Sequence, residues 1–128
     1  MRLPAIGLVI VIVLAVAAAL WTIGGPEQAR AERRDMTRWQ DLQALAWHID
    51  CLLLDGKAIS ELSDTCPNPP RTDDPYSGNS YVVDQVTDRH ITLCTTFETD
   101  LSRLAPYISD QRADPERGCV VIRRQGQT

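Results

Sequence analysis

The chain has 128 residues, 44 % of them hydrophobic, and a formal charge of −4. Those averages hide a division: residues 1–23 are almost wholly apolar with one charge, Arg2, while residues 24–128 carry 12 Lys and Arg against 17 Asp and Glu. The part beyond residue 23 is enough for one small domain, which excludes a multidomain enzyme, and its acidity without a basic patch excludes a nucleic-acid partner.

Leu3 to Ile23 is 21 residues long and carries no charge. At about 1.5 Å per residue the helix it forms is about 30 Å long, the thickness of a bilayer's hydrocarbon core. Pro4 falls in the first turn, where a missing N–H does no harm. Trp21 lies at the far end, where an indole suits the water interface. A cleaved signal peptide is the rival reading, with small residues at Ala15-Val16-Ala17 and Ala17-Ala18-Ala19. The apolar region of a signal usually runs only about 7–15 residues. Length therefore favours an uncleaved anchor and hinge over residues 1–25, with the lipid bilayer against residues 3–23.

Orientation rests on two opposed signals. Arg2 precedes the run and Arg30, Arg33, Arg34 and Arg38 lie beyond it, which would place the domain in the cytoplasm. Four cysteines in so small a domain point to an oxidising compartment instead. The arginines alternate with Glu27, Glu32 and Asp35, so the cysteines carry more weight. The expectation is a single-pass protein of the inner (cytoplasmic) membrane with its C-terminal domain outside the cytoplasm.

Gly24-Gly25-Pro26 breaks the helix and forms a hinge. A second helix starts near Glu27, whose acid complements the helix N-terminus. Met36, Trp39, Leu42, Leu45, Ile49 and Leu52 or Leu53 recur at intervals of three and four, the mark of one apolar helix face. The first ten residues of this helix are nearly all polar and have no core to cover. Asp55-Gly56 ends it, with Gly56 as the residue just past the cap, and Ile59 to Leu62 suit one more short turn. Residues 63–80 hold four of the eight prolines and read as a long loop. The period then changes to two. Tyr81 and Val83 begin a first strand, Asp88-Arg89 turns, and Ile91, Leu93, Thr95 and Phe97 line one face of a second. Residues 98–118 read as a polar loop with Leu101, Leu104 and Tyr107 as packing points, and Cys119 to Ile122 as a third strand. The fold expected is α+β: an amphipathic helix packed on a three-stranded antiparallel sheet over residues 26–122, then a polar tail at 123–128.

No cysteine pair has the C-x-x-C spacing of a redox or zinc site. The end of the helix at Cys51 should lie near the proline-rich loop at Cys66, and the strands of Cys94 and Cys119 should be neighbours. The favoured pairing is 51–66 and 94–119. Four buried thiols are the alternative, and the better one should the domain be cytoplasmic.

Catalytic patterns are lacking. His48 sits in the helix and His90 at a strand start, with no H-E-x-x-H, G-x-S-x-G or glycine-rich phosphate loop. No enzyme activity is expected. Asp73, Asp74, Glu98, Asp100, Asp110 and Asp114 are hard oxygen donors of the kind calcium takes. Their spacing is not that of an EF-hand, and no cofactor is expected.

The stretch Arg34-Asp35-Met36-Thr37-Arg38-Trp39-Gln40-Asp41-Leu42-Gln43-Ala44-Leu45 is succeeded by Asp74-Pro75-Tyr76-Ser77-Gly78-Asn79-Ser80-Tyr81 and then by short strands. Pro75 holds Asp74 extended and presets a turn, Gly78 is free to take positive φ, and Tyr81 enters the sheet as a core aromatic. This order resembles the pseudopilins of type II secretion and other type IV pilin-like proteins, which share a D-L-x-x-L helix and a D-P-x-G-x-x-Y-like turn. Leu93 to Asp100 with the late Cys119 is also similar to a group of bacterial membrane-anchored proteins of this shape. The resemblance implies a structural or interaction component of an envelope or secretion-type assembly, with protein partners that include further copies of itself. Two features depart from the family pattern: Gly7 is followed by Leu8-Val9-Ile10-Val11-Ile12 without a glutamate, and Gly24-Gly25-Pro26 interrupts the long helix. The alternatives are a membrane-tethered binding or sensory module using the loops at 63–80 and 98–118, and a secreted disulfide-bonded domain released by signal cleavage.

Overall fold

The structure, a computed structural model, describes residues 3–59, 66, 70–102, 104 and 112–125. Helix α1 spans Leu3–Ile23 and buries none of its residues in the protein. It is long and apolar enough to cross a membrane. Helix α2 spans Pro26–Leu54. Between them Gly24 takes φ +82°, a left-handed conformation in which a Cβ would meet the Gln28 side chain. Gly25 caps α2 in extended geometry and Pro26 fills its first turn, where no amide is missed. The Gln28 amide donates to the Gly25 carbonyl at 3.0 Å.

α2 ends as its sequence indicates. Gly56 adopts φ +69°, the Gly56 amide donates to the Leu53 carbonyl at 3.2 Å, and the Lys57 amide donates to the Leu52 carbonyl at 2.9 Å. This pair of bonds is the Schellman arrangement, which satisfies carbonyls left open by the last turn.

The sheet has four strands rather than the expected three: β1 Val82–Val86, β2 His90–Cys94, β3 Arg112–Asp114 and β4 Cys119–Arg123. All pairs are antiparallel and the order is β1-β2-β4-β3. The additional strand is β3, inside the stretch expected as polar loop. Arg-Ala-Asp has no apolar alternation to announce it, and it is strand because it pairs with β4 across the turn at 115–118. The polar tail also starts later than residue 123, since Arg123 belongs to β4 and Arg124 and Gln125 dock on α2. The expected turn after Ile59 and the packing point Tyr107 lie outside the described residues.

The core forms where the distal part of α2 meets one face of the sheet. Trp39, Leu42, Leu45, Ala46 and Ile49 of α2 pack with Ile91, Leu93, Val120 and Ile122. Leu101 and Leu104 join them, as does Tyr81. β1 departs from simple alternation: the register shifts between Val83 and Gln85, and Val82 and Val83 both face water. Full burial on α2 begins at Asp35; before it Gln28, Ala31, Glu32 and Arg34 are half-buried and the other residues of 26–34 exposed.

Candidate functional site

The apolar stripe of α2 fixes where its charged residues fall. Counting back by sevens from Ile49 gives Leu42 and then Asp35; from Leu52 it gives Leu45 and then Arg38. Both charges therefore point into the body, where Asp35 is 0 % and Arg38 3 % exposed. Buried charge is tolerated only when fully partnered, and here three chain segments supply partners.

Arg38 donates through Nε to Asp74 Oδ2 at 2.6 Å. Through Nη1 it donates to Asp35 Oδ1 at 2.7 Å and to Glu98 Oε2 at 2.8 Å. The fork of Arg34 also reaches Glu98, donating to Oε1 at 3.0 Å and to Oε2 at 2.7 Å. Asp35 in turn accepts the backbone amides of Glu98 and Thr99, at 3.0 and 2.7 Å, and the Thr99 hydroxyl at 2.6 Å. Tyr76 covers the guanidinium from outside, with its ring centroid 5.6 Å from Arg38 Cζ.

The electrostatics arise from these contacts. Burial alone would lower the Arg38 guanidinium, but its hydrogen bonds to Glu98, Asp74 and Asp35 outweigh that and raise it above its ordinary value. Burial alone would raise Asp74, but the Tyr76 amide, Arg38 and Ser77 outweigh it and hold the carboxyl below its usual range. Glu98 is pulled down to about 2 by Arg34 and then Arg38.

The residues of the turn motif are brought to this cluster. The Asp74 carbonyl accepts the Gly78 amide at 2.8 Å, with Gly78 at φ +75°, and the Asp74 amide donates to the Asn79 carbonyl at 2.8 Å. Asp73 bridges to Ser80, and the Tyr81 amide donates to the Thr72 carbonyl. Pro75 opens the turn and is exposed. Tyr81 enters the core, and its hydroxyl donates to Asp41 Oδ2 at 2.9 Å. Burial first, and then that neighbouring carboxylate, raise the phenol above its ordinary value.

Disulfides join Cys51 to Cys66 and Cys94 to Cys119. The second links residues directly opposite each other in the β2–β4 ladder. At the far end of α2, Asp50 accepts Arg124 Nε at 2.6 Å and the Gln125 amide at 3.0 Å, while Arg124 Nη1 donates to the Thr87 carbonyl. His48 is half-buried on α2, and His90 is exposed at the start of β2.

The sequence patterns do not single out the cluster of Asp35, Arg38 and Glu98 or the pair Asp50–Arg124. A signal for the first two is present: charged residues at the heptad positions of an apolar stripe must be partnered inside. Glu98 and Arg124 carry no such signal, because their roles depend on where the chain returns.

Among the described residues no group of three or more His, Cys, Asp or Glu is placed to hold a metal ion. The three carboxylates that do converge share a guanidinium. Chemically the arrangement is a clamp that fastens the turn at 74–78 and the segment at 98–99 to one point on α2. A separate surface depression of about 490 Å³ lies between residues 95–101 and the β3–β4 turn, with Phe97, Asp100, Glu116 and Arg117 on its walls. No family model, curated protein or solved structure matches the chain.

Proposed function

We propose that this is a non-enzymatic, single-pass membrane protein whose pilin-like domain stands outside the cytoplasm and serves as a structural or interaction component of an envelope or secretion-type assembly. The observation that supports it is one arrangement of elements. An apolar helix with no buried residue leads directly into a long helix, and only the distal part of that helix is covered by an antiparallel sheet. Two disulfides inside that body favour the oxidising side of an inner membrane. The resemblance of the Asp74–Tyr81 turn and the α2 stretch to pseudopilins suggests the kind of assembly, with further copies of the chain among its partners.

The depression beside Phe97 favours a second reading, a membrane-tethered module that binds a ligand there. The two are separated by extracting the full chain from membranes with detergent after chemical cross-linking. Homomeric ladders or secretion components in the cross-linked bands support the assembly. A monomer with none of these rejects it in favour of the tethered module. Sequencing the N-terminus of the same material tests the anchor: a chain starting after Ala17 or Ala19 makes the protein a secreted domain instead.

A further inference from the structure

The depression between residues 95–101 and the β3–β4 turn has walls that are fixed from behind. They meet where Thr95 follows Cys94 and Gly118 precedes Cys119, so the disulfide between those cysteines staples the seam. The Thr95 amide also donates to the Gly118 carbonyl at 3.0 Å. On one wall the Thr99 amide and hydroxyl are fastened to Asp35. On the other, Asp114 Oδ1 accepts the amides of Glu116 and Arg117 and sets the shape of the turn. A site held in this way loses little freedom on taking a ligand. Its volume of about 490 Å³ is that of a small-molecule site.

The walls combine an apolar side with one unpaired anion. The half-buried Phe97 ring, Leu101 and Pro115 supply the apolar side. Arg117 is already engaged, donating through Nη2 to Asp84 Oδ1 at 3.2 Å, and Asp100 accepts the Ser102 amide at 2.9 Å. The Glu116 carboxylate and the hydroxyls of Thr95 and Thr96 have no side-chain partner among the described residues. The surrounding body holds nine Lys and Arg against 15 Asp and Glu over residues 35–128, a field that repels anions and draws cations.

We infer that this depression binds a small alkylammonium ion. The ammonium group pairs with Glu116 and donates to the threonine hydroxyls, while its aliphatic stem lies against Phe97 and Leu101. This rests on the reading of the depression as a ligand site.

The test uses the full chain in a neutral detergent, grown with fluorinated phenylalanine. Phe97 is the chain's one phenylalanine, so the fluorine spectrum reports this wall alone. The probes are butylammonium, butanol and butyrate, which share a stem and differ in charge. Butylammonium is expected to shift the signal saturably and the other two to leave it in place. Glu116→Gln should weaken the butylammonium response about threefold, the scale of an exposed ion pair. A response to butanol or butyrate as large as that to butylammonium, or a butylammonium response unchanged in Glu116→Gln, overturns the inference and leaves a ligand site of other chemistry. No response to any of the three rejects the ligand site itself, and the inference with it.

Discussion

Arg38 and Asp74 lie 36 positions apart in sequence and 2.6 Å apart in space, and both are nearly inaccessible to water. Their pairing joins α2 to the turn that opens the sheet. Replacing Arg38 by leucine strands the Asp35 and Asp74 carboxylates inside the body without their cation. Breaking a buried pair in this way costs about 3–5 kcal/mol, a large part of a small domain's stability. Urea unfolding of the two proteins measures it; a loss below about 1 kcal/mol would show that water reaches the cluster freely.

Acid should loosen the same cluster within a defined range. Glu98 and Asp74 both have folded values below their ordinary ones, Glu98 at about 2. Groups of this kind stabilise the fold above their unfolded values and lose that contribution as pH falls through the folded ones. The urea midpoint is therefore expected to hold at neutral pH and to drop between about pH 4.5 and pH 2. Glu98→Gln should flatten the drop, and an unchanged slope in that variant would dismiss Glu98 as its source.

The Tyr81 phenol should ionise late. The Tyr81 hydroxyl is buried against Asp41, and its ionisation is pushed above the ordinary phenol range. Because its folded value is raised, Tyr81 lends full stability below the unfolded phenol value and loses it only as pH rises beyond. Ultraviolet titration should show one phenol resisting until the domain unfolds, and Tyr81→Phe should remove that one. The substitution leaves Asp41 with one partner fewer, at a cost of about 1–3 kcal/mol.

Two glycines in the same conformation should respond differently to alanine. Gly78 and Gly118 both have positive φ, but a Cβ on Gly78 meets nothing within 4 Å, while on Gly118 it runs into the Thr95 carbonyl. Gly78→Ala should cost only the left-handed penalty of about 1–2 kcal/mol. Gly118→Ala should cost clearly more, because Thr95 also donates its amide to the Gly118 carbonyl and the turn cannot move away freely. Thermal melts of both variants make the comparison, and equal losses would mean the β3–β4 turn yields.

Each disulfide should matter to a similar degree. Replacing both members of the 51–66 pair by alanine opens a loop of separation 15, and of the 94–119 pair one of separation 25. Chain-entropy arguments give about 3 kcal/mol for the first and a few tenths more for the second. Unfolding under non-reducing conditions measures both, and mass analysis of the alkylated native protein should find no free thiol.

Much of this architecture is legible in the chain itself. Six apolar residues at helical spacing mark α2, Gly56 marks its end, and the order of elements favours the observed cysteine pairing. Charged residues ordinarily lie in solvent, and only their heptad positions on the apolar stripe mark Asp35 and Arg38 as exceptions. They break that rule only because Asp74, Glu98 and Thr99 arrive from 36 to 64 positions away to partner them. β3 is hidden for a related reason. Three residues with no apolar pattern become a strand through the neighbour they meet, and that neighbour lies beyond a turn.

The two disulfides also determine what one backbone cut can release. A cut between Cys51 and Cys66, or between Cys94 and Cys119, leaves both ends tied, and the nicked protein remains one molecule. Between α2 and β4, only residues 67–93 lack a covalent bypass. A protease acting there would leave the C-terminal half held to the N-terminal half by the shared core and by ion pairs such as Arg38 with Glu98 and Asp50 with Arg124. The two halves would then separate under any condition that opens that interface.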